Sequence, residues 1–211
     1  MEIEKTIIDR FNFIIKREKD KKLVDKKYIS TMLPCTLVKH YTKFKNIDWS
    51  EIGKNKPNNI FKYDIFLSGR NTSLERENII NFLKKQNYNL CHNLGENKFP
   101  YNDYLNNIYC SAINLAPDGI GKFTFRHLEI LASCSFMLCD EEIKNLELPL
   151  PIKDGIHYAS YKNFNDLLNK IDFFLKNDNL RSEISLNGRK LLENLYCPKK
   201  HGQKIYDIIS S

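Results

Sequence analysis

The sequence predicts an α/β fold, a Rossmann-like parallel sheet flanked by helices, from residue 62 onward. The first observation is that short apolar runs alternate with longer segments of helical periodicity over this part of the chain. The second is that two of the apolar runs lead into glycine-bearing turns, one at Gly69 and one between Pro117 and Gly121. Strands that alternate with helices pair in parallel through crossover connections, so these segments are expected to form one sheet.

The first predicted strand covers residues 63–69, an apolar run that Gly69 ends. Thr72 with Glu75 three residues later fits a capping box, so the first helix is expected to begin there and to reach about residue 86. The segments that follow are a strand over 88–94, a helix over 101–107 and a strand over 110–116.

The remaining elements alternate in the same way. In chain order they are a helix over 123–133, strands over 135–139 and 156–161, helices over 163–176 and 180–195, and a closing segment over 202–209. Asp140 stops the strand at 135–139. The two long helices are amphipathic, because their apolar residues recur every three or four positions and so share one face.

The N-terminal part is organised differently. Residues 1–60 show no clean hydrophobic period, Pro34 interrupts them, and the charged stretch over 16–22 is expected to be an exposed turn. We therefore divide the chain into a basic lead-in at 1–61 and a Rossmann-like domain at 62–211. The lead-in is either a linker or the remnant of an N-terminal domain.

The net charge of +7 is concentrated in this lead-in. Residues 1–60 hold 14 lysines and arginines against 8 acidic residues, whereas the other 151 residues hold 19 against 18. The excess is either a solvated basic face or a polyanion-binding arm. A nucleic-acid partner is not predicted, because no recognition helix or sheet with interleaved aromatic residues accompanies the charge.

Targeting and redox features predict a cytoplasmic protein. The longest apolar stretch, 130–139, is too short to span a bilayer, and the charged N-terminus lacks a signal-peptide core. The six cysteines include no C-x-x-C pair, so reduced thiols are expected and neither a zinc site nor another metal site is predicted. Motifs of serine hydrolases, P-loop proteins and zinc proteases do not occur.

In an open parallel sheet, ligands bind outside the carboxyl ends of the strands. Here those ends carry Gly69 in one turn, and Gly119 and Gly121 in another. Glycine lets a ligand approach the backbone, and the N-terminus of a following helix suits phosphate. The cations close to these turns are Arg70, Arg76 and Lys122. The turns are therefore either purely structural or a cradle for phosphate.

Two charged residues interrupt the apolar pattern of the helix over 123–133. Arg126 and Glu129 lie three positions apart and so share a face. They form either a local salt bridge or a ligand-binding pair, in which Glu129 accepts hydrogen bonds from ligand hydroxyls and Arg126 faces phosphate.

The same helix carries the pattern Arg126-x-x-Glu129-x-x-Ala132-x-Cys134 and is followed by a short strand and Asp140. This arrangement resembles the R-x-x-E-x-x-A-x-G pattern in the donor-binding region of GT-B glycosyltransferases. It is most similar to the spore-maturation CgeB-like, glycosyltransferase family 1-like group. The resemblance implies the fold of the C-terminal half of a GT-B enzyme.

The resemblance covers about residues 62–209. The segment 63–69, followed by Arg76, is similar to the family's first strand, glycine turn and basic residue. The segment 154–160 resembles the strand after the central motif, and 163–194 resembles the family's helical tail. The order and spacing of these segments carry the likeness more than any one of them.

Two positions depart from the family pattern. Cys134 stands where the family has glycine, and Gly121 stands where the earlier glutamate of the E-x7-E pattern would fall. These departures, and the missing acceptor half, leave an alternative open. The chain is then a non-catalytic or partner-dependent module that binds a nucleotide or a protein partner.

The resemblance implies a glycosyltransferase, or its donor-binding half, that transfers a sugar from a nucleoside-diphosphate sugar to an unknown acceptor. The donor-binding residues it implies are Gly69, Arg70, Arg76, Gly119, Gly121, Lys122, Arg126 and Glu129. Glu129 would hold the ribose and the cations would neutralise the diphosphate. No D-x-D motif occurs, so metal-independent transfer without a cofactor is expected. The catalytic base would come from a separate N-terminal domain or chain, so no catalytic residue is named.

Overall fold

The computed structural model describes residues 14–16, 19–22, 28–30, 61–95, 99–119, 121–148, 151–195, 203, 206, 207 and 210. Its elements in chain order are β1 (Ile14–Lys16), β2 (Lys19–Asp20), β3 (Tyr28–Ser30), β4 (Tyr63–Gly69), α1 (Leu74–Leu83), β5 (Leu90–Leu94), α2 (Tyr101–Tyr109), β6 (Ser111–Ala116), α3 (Phe125–Ala132), β7 (Met137–Asp140), a 3-10 helix (Glu141–Asn145), β8 (Leu146–Glu147), β9 (Ala159–Tyr161), α4 (Phe164–Leu175) and α5 (Asp178–Leu195). From β4 to β7, strands and α-helices alternate as predicted.

Five strands form the main sheet, in the spatial order β5–β4–β6–β7–β9. Every neighbouring pair in it is parallel. The strand order reverses between β4 and β6, because β5 lies on one side of β4 and β6 lies on the other. The predicted α/β class, a Rossmann-like parallel sheet flanked by helices, is confirmed. A crevice at such a reversal, outside the carboxyl ends of the strands, is where open α/β sheets bind ligands.

The two faces of the sheet are covered by different helices. Side chains alternate along β4, so Phe66 points to one face while Ile65 and Leu67 point to the other. The face of Phe66 packs against α2 and α3, and the opposite face packs against α1 and α4. Because both faces are buried, the strands read as continuous apolar runs in the sequence.

The start of α1 differs from the prediction. The capping box of Thr72 and Glu75 does not form: Ser73 is the N-cap residue, and the helix runs from Leu74 to Leu83 rather than to about residue 86. The Ser73 hydroxyl instead donates a hydrogen bond to the carbonyl of Asp118, at 3.3 Å. A local spacing rule could not reveal this contact, because its two residues are 45 positions apart in the chain.

The corner between α3 and β7 explains the glycine of the family pattern. Cys134 turns this corner with φ of 50°, in the left-handed region that glycine enters without strain. Its side chain is buried. The cysteine therefore keeps the turn that the pattern requires, with a thiol packed into the corner.

Other boundaries shift by a few residues. The strand predicted over 156–161 is shorter, β9, because the chain before it forms a turn in which the N–H groups of Ile156 and His157 bond to the carbonyl of Lys153. In the closing segment predicted over 202–209, the described residues 203, 206 and 207 are helical.

Part of the lead-in contacts the domain. β2 pairs antiparallel with β8, and the N–H of Lys21 donates to the carbonyl of Asn145 at 2.8 Å. Within the predicted exposed turn over 16–22, residues 19 and 20 therefore form a short strand. β1 pairs in parallel with β3. The rest of residues 1–60 lies outside the described residues, and the division of the chain at 61 and 62 stays a prediction.

Four cysteines lie in the described part of the chain. None of these four, Cys91, Cys110, Cys134 and Cys139, takes part in a disulfide bond there. Cys35 and Cys197 lie outside the described residues. Within the part of the chain that the structure describes, no helix combines the length and the apolar character needed to cross a bilayer.

Gly188 in α5 is required by close packing. A Cβ built there would lie 2.6 Å from Leu131 Cδ2 and 2.8 Å from the backbone oxygen of His157. In an exposed helix, glycine to alanine stabilises by about 1 kcal/mol. Here we expect Gly188→Ala to lower the free energy of unfolding by about 1–2 kcal/mol, because the backbone cannot yield. Urea unfolding measures it, with Lys190→Ala on the exposed side of α5 as control. An unchanged or raised stability would contradict the packing argument.

Candidate functional site

A cleft of about 710 Å³ opens at the carboxyl ends of the strands. It is lined by Ser68, Gly69, Arg70, Thr72, Arg76, Phe99, Tyr101, Tyr104, Thr124, Phe125, Arg126 and Glu129. These residues come from the end of β4, from α1 and α2, and from the start of α3. The cleft therefore lies at the reversal of strand order beside β4, the position expected for a ligand site in this class of sheet.

Gly69 and Arg126 meet at the base of the cleft. Gly69 ends β4 with φ of 151°, in the region that favours glycine. A Cβ built on it would lie 2.0 Å from Nη2 of Arg126. The guanidinium of Arg126 therefore occupies the space that any other residue at position 69 would fill. The turn and the arginine, singled out separately in the sequence, are parts of one site.

Arg126 has donors that no described residue accepts. Its Nε and Nη1 atoms are buried and have no hydrogen-bond partner. Buried polar groups are normally satisfied, and a charged group left unsatisfied costs several kcal/mol. A pair of guanidinium donors held over a glycine, in the lining of a cleft, is an arrangement suited to an oxyanion such as phosphate.

Glu129 lies one turn further along α3 and is also buried. It accepts a hydrogen bond from the hydroxyl of Tyr104, at 2.7 Å. Burial, and next the charge of Glu129, raise the pKa of Tyr104, so its proton stays on the phenol. Tyr104 also hydrogen-bonds to Arg126. Its hydroxyl thus lies between the carboxylate and the guanidinium that share the face of α3.

Aromatic side chains form a further wall of the cleft, beside the charged groups. The ring of Tyr104 packs on Phe66, with centroids 5.7 Å apart, and stacks with Tyr101 at 6.3 Å. Phe99 also packs on Phe66, with centroids 6.2 Å apart. Tyr101 and Phe125 are partly exposed at the rim of the cleft. Such a wall presents flat apolar surface to a planar ligand group.

Arg76 is a structural clamp as well as a cation of the cleft. Its Nε donates to the carbonyl of Asp118 at 2.9 Å, Nη1 to that of Arg70 at 2.9 Å, and Nη2 to that of Pro117 at 3.2 Å. A Cβ on Gly119 would lie 2.5 Å from Nη2 of Arg76, so this glycine makes room for the clamp. Burial, and then Arg126, lower the pKa of Arg76 to about 10, which leaves it charged at neutral pH.

The structure does not bring all predicted residues into the cleft. Arg70 lines it and is exposed, whereas Gly119 acts behind Arg76. Gly121 is buried in the turn, and its carbonyl accepts the N–H of Gly119. Lys122 forms an ion pair with Glu142, and this hydrogen bond raises its pKa. Neither Gly121 nor Lys122 lines the cleft.

Sequence reasoning missed the aromatic residues, above all Tyr104. The available signal was the spacing of Tyr101 and Tyr104, three apart at the start of a predicted helix. His127, on the helix that carries Arg126, is buried. The N–H of Thr124 donates to its Nδ1 at 3.0 Å, and burial lowers its pKa to about 3. His127 is therefore neutral and fixes the start of α3.

No family model and no curated protein matches the chain in sequence. Solved structures do match its fold. S. aureus TarM superposes on 100% of this chain with a TM-score of 0.62 at 15% identity, over 46% of the TarM chain. A TarM variant in complex with fondaparinux, α-GlcNAc-glycerol and UDP gives the same score at 14% identity, over 47% of that chain. The chain therefore has a Rossmann-like fold that matches the C-terminal domain of a GT-B glycosyltransferase.

A third match is to the C-terminal domain of LpcC, a glycosyl transferase group 1 family protein from Francisella tularensis. It has a TM-score of 0.46 at 16% identity, over 65% of this chain and 87% of that domain. The present chain spans about half the length of the TarM chains it matches. At these identities the likeness concerns the fold, and the chemistry of the cleft rests on the residues described above.

Proposed function

We propose that the cleft binds a nucleoside-diphosphate sugar of the UDP or GDP type, and that the chain is the donor-binding half of a glycosyltransferase. The observation that carries the proposal is Arg126, whose two buried donors have no partner among the described residues and so favour an oxyanion ligand. The motif order resembles the CgeB-like group, and we place the chain there as part of the proposal. The acceptor and the catalytic base would come from another domain or chain.

The diphosphate would lie between Gly69 and the start of α3. There Arg126 supplies Nε and Nη1, and the N-terminus of α3 adds partial positive charge. Arg70, exposed at the rim, adds a mobile cation. These groups would stabilise the negative charge that builds on the diphosphate as the glycosidic bond breaks. No D-x-D motif is present, so we propose that this charge is neutralised without a metal ion.

The nucleoside would be held by Glu129 and the aromatic wall. A carboxylate is an acceptor only, and the two hydroxyls of a ribose are donors that suit it. The Tyr104 hydroxyl donates a hydrogen bond to Oε2 of Glu129 and so fixes the orientation of the carboxylate. Tyr101 and Phe125, partly exposed at the rim, offer surfaces on which a base can stack. The UDP in the TarM complex agrees with a nucleotide ligand for this fold.

Calorimetry with nucleotide sugars tests the proposal. The 211-residue chain is titrated with UDP-glucose, UDP-N-acetylglucosamine and GDP-mannose, with glucose 1-phosphate as a ligand that lacks the nucleoside. We expect at least one nucleotide sugar to bind, and the sugar phosphate to bind far more weakly. A folded chain that binds none of the three at millimolar ligand would refute the proposal.

Tyr104→Phe should weaken binding without unfolding the chain. The ring contacts with Phe66 and Tyr101 remain, but Glu129 loses the donor that orients it. This bond is internal to the chain, so its loss affects binding only through the misplaced carboxylate, and we expect affinity for the nucleotide sugar to fall about tenfold. Tyr109→Phe, at the far end of α2, is the control. If both variants bind like the wild type, Tyr104 does not orient Glu129 for a ligand.

A further inference from the structure

Beside the cleft, two carboxyl groups are packed against each other at the ends of β6 and β7. The N–H of Asp118 donates to Oδ2 of Asp140 at 2.8 Å, and the N–H of Glu142 donates to Oδ1 of Asp140 at 3.1 Å. The two side chains also hydrogen-bond to each other. Two buried carboxylates in contact cannot both carry a charge at low cost, and the pKa values of both are raised, first of all by burial. Because Asp140 already accepts two N–H groups, we expect a shared proton to reside on Asp118.

One oxygen atom of the Asp118 carboxyl lacks a hydrogen bond. This atom, Oδ1, is buried and has no partner among the described residues. The hydroxyl of Tyr161, on β9, is likewise buried without a partner and lies close enough to both carboxyls to feel their charge. A charged Asp118 would therefore be a poorly solvated anion beside another anion.

The turn that carries Asp118 is joined to the cleft through Arg76. Two of the three Arg76 hydrogen bonds go to the carbonyls of Pro117 and Asp118, and the third goes to the carbonyl of Arg70. Ser73 adds a fourth link to the carbonyl of Asp118. The position of the turn thus sets the position of Arg76, and through Arg76 that of the chain after Gly69. The guanidinium of Arg126 lies against Gly69.

We propose that Asp118 and Asp140 are a positioning pair: the proton they share holds the 117–119 turn against Arg76 and so keeps the phosphate end of the cleft in its binding geometry. Loss of that proton sets two carboxylates against each other, loosens the turn and weakens binding. The inference rests on the proposed function for its ligand, but the proton itself can be detected without one.

The pH range follows from the groups around Asp118. Burial, then Asp140 and Glu75, raise the pKa of Asp118 to about 7, while Lys122 opposes the shift. The other ionisable groups packed around the pair are Arg76 on α1, Cys139 on β7, Glu142 on the 3-10 helix and Tyr161 on β9. Burial lowers the pKa of Arg76 only to about 10, and burial raises those of Cys139 and Tyr161 well above neutral. The ion pair with Lys122 lowers the pKa of Glu142. None of these four changes charge near pH 7. Burial also raises the pKa values of Asp140 and Glu75, so the titrating groups are these two carboxyls and Asp118, and Asp118→Asn separates Asp118 from the other two.

The test compares the wild type with Asp118→Asn, which keeps a donor toward Asp140 but cannot ionise. UDP-glucose and GDP-mannose are the probes, because their pyrophosphate diesters carry a constant charge across this range. We expect wild-type affinity to fall about tenfold from about pH 6 to about pH 8, and the affinity of Asp118→Asn to change less than about twofold. Glu183→Gln, at an exposed position of α5, should keep the wild-type dependence of affinity on pH. An Asp118→Asn variant with the wild-type pH dependence would overturn the proposal.

A second readout needs no ligand. A carboxyl whose pKa is raised on folding contributes stability that is complete below its ordinary pKa and is lost as pH rises through the folded value. Wild-type stability should therefore fall between about pH 4 and about pH 7 relative to Asp118→Asn, measured by the difference in Tm. If this difference does not change with pH, the shared proton does not exist. If it changes as expected but no nucleotide sugar binds at any pH, the proposed function fails while the pair stands.

Discussion

Arg126→Met is expected to abolish most nucleotide-sugar binding while leaving the chain folded. Methionine keeps the apolar stem but removes the guanidinium, whose Nε and Nη1 have no partner among the described residues. Charge-assisted hydrogen bonds contribute about 1.5–3 kcal/mol, so a loss of about 2–3 kcal/mol, roughly 30- to 150-fold in Kd, is expected. Calorimetry with the nucleotide sugar that binds the wild type most tightly measures this change in Kd.

Stability should not fall in the same variant. Arg126 is one of the causes that lower the pKa of Arg76, so its removal relieves a repulsion between two cations in the cleft wall. We expect the free energy of unfolding to stay within about 0.5 kcal/mol of the wild type or to rise. Arg126→Lys should bind at an intermediate level, since an ammonium keeps the charge but not the fork. A variant that unfolds would show that Arg126 is structural, and one that binds normally would remove it from the site.

Gly69→Ala should cost both binding and stability, and Gly95→Ala only stability. The two glycines have nearly the same φ, 151° and 157°, in a region where alanine is strained. A Cβ at position 95 meets nothing within 4 Å, whereas one at position 69 would lie 2.0 Å from Nη2 of Arg126. We expect each substitution to lower the free energy of unfolding by about 1–3 kcal/mol.

Only Gly69→Ala should then displace Arg126 and weaken nucleotide-sugar binding, by about tenfold or more. The two variants are measured side by side, by urea unfolding and by calorimetry. Because the strain is matched, the difference between them isolates the contact between Gly69 and Arg126. Equal binding by the two variants would mean that this contact has no part in holding the ligand.

The fold class was predictable because both faces of the sheet are buried. Apolar runs such as 63–69 and 110–116 stand out against amphipathic helices, and their alternation leaves parallel pairing as the expected arrangement. The edge of the sheet where a ligand would bind follows from the same alternation. Gly69 and Arg126 could therefore be placed at one edge, although 57 positions separate them in the chain.

The sequence could not show which residues the charged side chains contact in the folded chain. Arg76 was predicted to face phosphate, but its donors are directed to three backbone carbonyls, and such partners have no signature in a sequence. Lys122 forms an ion pair with Glu142, which lies twenty positions later in the chain, and does not line the cleft. Tyr104 reaches Glu129 from another helix, and only the packing of α2 against β4 brings the two together. The capping box at Thr72 was wrong because the Ser73 hydroxyl bonds to a distant turn instead.

The most direct test of the account is the nuclear magnetic resonance signal of the Arg126 Nε–H group. That proton has no acceptor in the present structure, and a bound diphosphate would supply one. On titration with UDP-glucose or GDP-mannose, the resonance should move downfield and saturate with the same Kd that calorimetry gives. A ligand that binds while the Arg126 signal stays in place, or a folded chain that binds neither nucleotide sugar, would contradict the account.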